Sequence, residues 1–87
     1  MRALKIVIKK EWFDKIESGE KKIEYREAKP FWHLRLKDKN GNYREYDRIE
    51  FINGYNTNAR RMITEFDGVS LHGDKYHIKI GMILKKP

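Results

Sequence analysis

Residues 19–27, GEKKIEYRE, carry the side chains best suited to chemistry. Glu24 and Arg26 are two apart, so in a strand they emerge on one face about 7 Å from each other. Lys21 precedes them in the turn after Gly19, which can redirect it toward the same place. Two cations and one carboxylate around a helix-to-strand corner suit a planar ligand that carries donors and acceptors. Glu24 accepts from an exocyclic amine, while Arg26 and Lys21 hold a carbonyl or a phosphate. A nucleobase or nucleotide meets that description. The competing reading is a solvent-facing Glu24–Arg26 pair, common on strands and worth about 0.2–1 kcal/mol.

Aromatic residues flank this stretch. Phe31 and Trp32 follow Pro30, and Tyr55 lies in the loop Asn53-Gly54-Tyr55-Asn56. Each ring can stack on a base, worth about 1–3 kcal/mol per base, or plug an end of the fold. Arg60 and Arg61 can hold phosphates or simply be solvated. His33, His72 and His77 show no ligand spacing on one element and no cysteine assists them, so no metal site is expected. No cofactor is expected either: a glycine-rich phosphate loop, a nucleophile elbow and a Ser/His/Asp set are all unreadable.

The elements that must position these groups follow from hydrophobic spacing. Residues 3–8 alternate as a strand, with Leu4, Ile6 and Ile8 on one face. Residues 10–18 switch to helical spacing, in which Trp12, Phe13 and Ile16 form a stripe and Gly19 ends the helix. Nine helical residues are unstable alone and must dock on a sheet. Residues 22–27 alternate again: Ile23 and Tyr25 point one way, Lys22, Glu24 and Arg26 the other. Pro30 opens FWHLRL, which reads as a short helix with proline at its first position or as another strand, the helix being preferred. Asn40-Gly41 signals a two-residue hairpin leading into a strand at 43–52, with Ile49 and Phe51 directed inward. A strand at 61–67 is ended by Gly68. Residues 75–84 form the clearest strand, with Tyr76, Ile78, Ile80, Met82 and Leu84 on one face. Five or six short strands and one or two small helices predict an α+β, mainly β fold: a compact β-barrel whose closure hides its strand edges.

Composition bounds the function. Eighty-seven residues make one domain, residues 1–87. The absence of cysteine excludes disulfides and thiolate zinc sites, and fits a cytoplasmic protein. No run is long enough for a membrane helix or a signal-peptide core, so no membrane partner is expected. Twenty Lys/Arg against thirteen Asp/Glu give +7, which suggests a polyanion but is also ordinary for a soluble surface. The excess is spread along the chain, so any basic patch must be assembled by folding.

The chain resembles the ASCH domain, a relative of the PUA RNA-binding barrel. The hallmark G-x-K-x-x-E-x-R stands here as Gly19, Lys21, Glu24 and Arg26 with every spacing kept. The preceding W-F-x-x-I-x-x-G and the later N-G-Y (Asn53, Gly54, Tyr55) are also similar to the family. The resemblance extends from about Leu4 to Leu84. It implies a PUA-like β-barrel with a cleft lined by the motif and RNA or a nucleotide-like molecule as partner. With Trp32 added as a stacking ring and Arg61 as a phosphate contact from the reading of residue types above, the ligand residues would be Gly19, Lys21, Glu24, Arg26, Trp32, Asn53, Tyr55 and Arg61. Some small bacterial members are amidohydrolases on acylated cytidines and use a Lys, a Thr and a Glu. Lys21 matches the first, but Glu24 stands where those relatives carry Thr, and Glu65 matches the Glu by position only. An enzymatic reading, amidohydrolase or ribonuclease-like, would use Lys21 and Glu24 as an acid/base pair. A third reading is a protein-interaction domain using an exposed sheet face.

Overall fold

In the first strand, β1 (Ala3–Ile8), the alternation does what the sequence predicts: Leu4, Ile6 and Ile8 are buried. The computed structural model describes residues 2–87. Helix α1 (Lys10–Glu17) follows at once and buries Phe13 and Ile16. Trp12, expected in the same stripe, sits at its margin and is 40% exposed. Gly19 takes φ +84°, a conformation natural to glycine, and its amide donates to the Ile16 carbonyl at 3.0 Å. The Lys21 amide then donates to Lys15 at 3.0 Å, which folds the chain back into β2 (Ile23–Glu27). Residues 30–36 take the helical reading rather than the strand: helix α2 (Pro30–Leu36) begins with proline.

The remaining strands are β3 (Arg48–Asn53), β4 (Arg61–His72) and β5 (Lys75–Lys85). One sheet runs in the order β1-β3-β4-β5-β2. The β1–β3 pair is parallel, and the other three pairs are antiparallel. The fold class is the expected one, α+β and mainly β, with the sheet curled into a half-barrel. A single core joins the inward side chains of β1, β3, β4 and β5 to Phe13 and Ile16 of α1 and Leu36 of α2.

Four expectations need correction. The barrel is not closed by backbone pairing: β1 and β2 are the two edges of the sheet. A side chain bridges the opening instead. Arg26 on β2 donates from Nη2 to the Val7 carbonyl on β1 at 3.1 Å, while Asn53 Nδ2 at the end of β3 donates to the Ile8 carbonyl of its paired neighbour β1 at 3.2 Å. Next, residues 43–47 are not strand. The Asn40-Gly41 turn closes a single bridge between Lys37 and Tyr43, with Asp38 Oδ1 accepting from the Asn40 and Asn42 amides. This segment then spends its hydrogen bonds on the end of α2: the Arg44 amide donates to Leu36, and the Tyr46 hydroxyl to Arg35.

Gly68 does not end β4. It adopts φ +118° within a run of register shifts against β5, so it bends a strand that continues to His72. Finally, the apolar alternation of β5 changes phase at a register shift against β4, after which Ile83 is the residue that packs against the core. Tyr76, Ile78 and Ile80 are buried, whereas Met82 is 67% and Leu84 43% exposed.

Candidate functional site

The alternation of β2 places its polar side toward the interior. Glu24 is buried, while Tyr25 is half exposed and packs edge-on against His77 of the neighbouring β5. Glu24 is therefore not the solvent-facing carboxylate of the competing reading. Its Oε2 accepts from Arg26 Nε at 2.8 Å and lies 2.6 Å from Nη2. Its Oε1 lies 3.3 Å from Lys21 Nζ. The three side chains are stacked by depth: Glu24 is 7% exposed, Lys21 15% and Arg26 25%. Both carboxylate oxygens are thus engaged by cations of the same motif.

Aromatic faces hold those cations in turn. The Lys21 ammonium lies 5.3 Å from the Trp12 ring centre and 5.1 Å from that of Tyr25. The Arg26 guanidinium lies 5.1 Å from Trp32. Such contacts contribute about 0.5–2 kcal/mol each, more as water is excluded. Together they fix both cations at the floor of a cleft of about 930 Å³, large enough for a small organic ligand. Its walls are Trp12 from α1, Tyr25 from β2, Phe31 and Trp32 from α2, and Tyr55 from the 54–59 loop. Lys9, Lys29 and Glu27 lie at its rim, and Asn53 closes one end.

Of the residues singled out in the sequence, Lys21, Glu24, Arg26, Trp32, Asn53 and Tyr55 line this cleft. Gly19 does not; it borders a smaller hollow beside β5, and its part is to turn the chain so that Lys21 points back. Arg61 also lies elsewhere, 3.5 Å from Glu50 on the adjacent strand. Its neighbour Arg60 ties Asp14 of α1 to Asn53, at 2.9 and 3.2 Å from Nη2. Hydrogen bonds from Lys10 and then Arg60 hold the Asp14 carboxyl below its ordinary range. Glu65 is outside the cleft; its Oε1 accepts from the Met82 amide at 3.2 Å. Trp12, Tyr25 and Lys9 were missed as site residues. For Trp12 the signal was available: Phe13 and Ile16 alone complete the inward stripe of so short a helix, which leaves Trp12 at its edge.

Behind Tyr25, His77 stacks on His72 with ring centres 4.0 Å apart, and Ser70 Oγ bonds His72 Nε2 at 2.8 Å. Desolvation, then the neighbouring His72, Lys75 and Lys79, push the His77 imidazole below its usual pKa. The folded chain therefore resists a proton that the unfolded chain accepts near pH 6.5. Stability is expected to be full above that value and to decline as pH falls through and below it. Urea midpoints at pH 7.5 and 5.5 should differ accordingly, and His77→Phe should reduce the difference. Asp14 and Glu27, both held low by lysine or arginine partners, contribute their own loss only at more acid pH. An unchanged slope in the variant would assign the effect elsewhere.

Among the described residues no group of three or more His, Asp or Glu is arranged to hold a metal, and no helix is long and apolar enough to cross a membrane. Comparison of the chain with protein-family models, curated proteins and solved structures gave no match.

Proposed function

We propose that the protein is a PUA-like module of the ASCH kind that binds RNA or a nucleotide in the cleft above Lys21, Glu24 and Arg26. The observation that carries this reading is the ring of five aromatic side chains around a cationic floor. Flat, sequence-tolerant stacking surfaces beside fixed cations are what single-stranded nucleic acid requires. Cytoplasmic residence belongs to the same proposal. Binding is favoured over hydrolysis because both Glu24 oxygens are engaged by cations and no serine or threonine lines the cleft among the described residues.

Both tryptophans of the chain, Trp12 and Trp32, line the cleft, so intrinsic fluorescence reports on it directly. Titration with short single-stranded RNAs and with nucleotides should quench or shift that emission. The lining carries four cations against two carboxylates. With about two phosphates neutralised, RNA affinity should fall about sevenfold between 50 and 200 mM salt. Failure of RNA, nucleotides and nucleosides alike to bind at low salt would sink the proposal.

A further inference from the structure

We infer that the floor of the cleft takes a terminal phosphomonoester, as on a nucleoside monophosphate or a phosphorylated RNA end, rather than the edge of a base. This inference rests on the nucleotide-binding reading above and specifies which part of the ligand reaches the floor. The engagement of the carboxylate decides the matter. A base edge would need Glu24 as acceptor, but Glu24 is the most buried of the three side chains and both of its oxygens already face cations. What the floor presents upward is positive.

The donors remain available. Arg26 spends Nε on Glu24 and Nη2 on Glu24 and Val7, while among the described residues Nη1 has no acceptor. No buried side-chain nitrogen lacks a partner, so Nη1 is open to solvent. Lys21 Nζ has only one oxygen partner among the described residues, Glu24 Oε1, and an ammonium has three protons to give. Two adjacent cations with unused N–H groups match the oxygens of a phosphate, and arginine is the side chain suited to that planar recognition.

Charge selects the monoester. Lys9, Lys21, Arg26 and Lys29 face Glu24 and Glu27 across the lining, leaving two net positive charges. A terminal phosphate carries about −1.5 to −2 at neutral pH, whereas a diester link carries one negative charge. Glu24 thereby becomes a positioning residue: it holds Lys21 and Arg26 in place.

The test compares uridine and adenosine with their 5′- and 3′-monophosphates and with the methyl esters of those phosphates, at 50 mM salt, by tryptophan fluorescence. A monophosphate is expected to bind at least tenfold more tightly than its nucleoside or its methyl ester. Its affinity should also rise from pH 5 to 7.5 around the phosphate's second pKa, near 6, while the methyl ester's does not. Arg26→Gln should bring the monophosphate to the nucleoside's affinity; since that change also removes the Val7 bridge, Lys21→Gln provides a second variant with the same expected direction. Oligonucleotides with and without a terminal phosphate separate the two sources: discrimination there identifies an RNA end, and discrimination among free nucleotides alone identifies a small molecule. Equal binding of nucleoside and monophosphate overturns the inference and leaves the nucleotide reading standing. No binding by any of them overturns both.

Discussion

Glu24→Ala is expected to cost about 2–4 kcal/mol, which for a domain of this size lowers the melting temperature by about 10–25 °C. Removing one member of a buried ion cluster strands the others, and the usual penalty is about 3–5 kcal/mol. The lower figure applies because Lys21 and Arg26 retain 15% and 25% exposure and recover some hydration. Two further contacts depend on the carboxylate. It fixes the guanidinium that reaches Val7 across the sheet opening, and it holds the ammonium against Trp12 and Tyr25. The penalty should arise from uncompensated charge rather than from lost attraction. Accordingly, Glu24→Leu combined with Lys21→Met and Arg26→Met should be clearly more stable than Glu24→Ala alone. Thermal and urea unfolding of the two variants check this. A loss below about 1 kcal/mol for Glu24→Ala would mean that the trio behaves as a solvated surface pair.

That cluster shows where the sequence was legible and where it stopped. Spacing identified Glu24 and Arg26 as a pair, because period-two alternation dictates which side chains share a face, and the turn after Gly19 brought Lys21 toward them. It gave no sign of which face was inside. Local pattern assigns polar residues outward, and only the curl of the sheet, which brings β2 opposite β1, makes the polar side of β2 an interior one. Helix α1 was legible for the opposite reason: Phe13, Ile16 and Gly19 are local signals of burial and termination. Residues 43–47 misled because an Asn-Gly turn signals a hairpin strand, yet the Arg44 amide and the Tyr46 hydroxyl bond instead to Leu36 and Arg35 of α2. The β5 alternation at Met82 and Leu84 is continuous in sequence, but a register shift against β4 puts Ile83 rather than Met82 or Leu84 against the core.

The same contrast separates folding from binding within α1, where neighbouring aromatics face different environments. Phe13→Ala should cost about 3–5 kcal/mol, since Phe13 is fully buried and the void cannot refill easily. Total stabilities are about 5–15 kcal/mol, so the variant should be close to unfolding, with a melting temperature lower by at least about 15 °C. An eight-residue helix has no stability of its own, and its docking rests on Phe13 and Ile16. Its release would also free Lys21, whose amide is bonded to Lys15, and loosen Arg60, whose guanidinium lies 4.6 Å from the Phe13 ring. Trp12→Ala should behave differently. That ring is 40% exposed and serves as cleft wall, so stability should fall by only about 1 kcal/mol. Ligand affinity should drop by the worth of one stacked base, about 1–3 kcal/mol, or roughly 5- to 150-fold. Melting curves and titrations followed by the remaining Trp32 emission distinguish the two. If Trp12→Ala proved as destabilising as Phe13→Ala, Trp12 would belong to the core and the cleft would lose that wall. If Phe13→Ala melted within a few degrees of the parent, α1 would not be the element that holds Lys21 over Glu24.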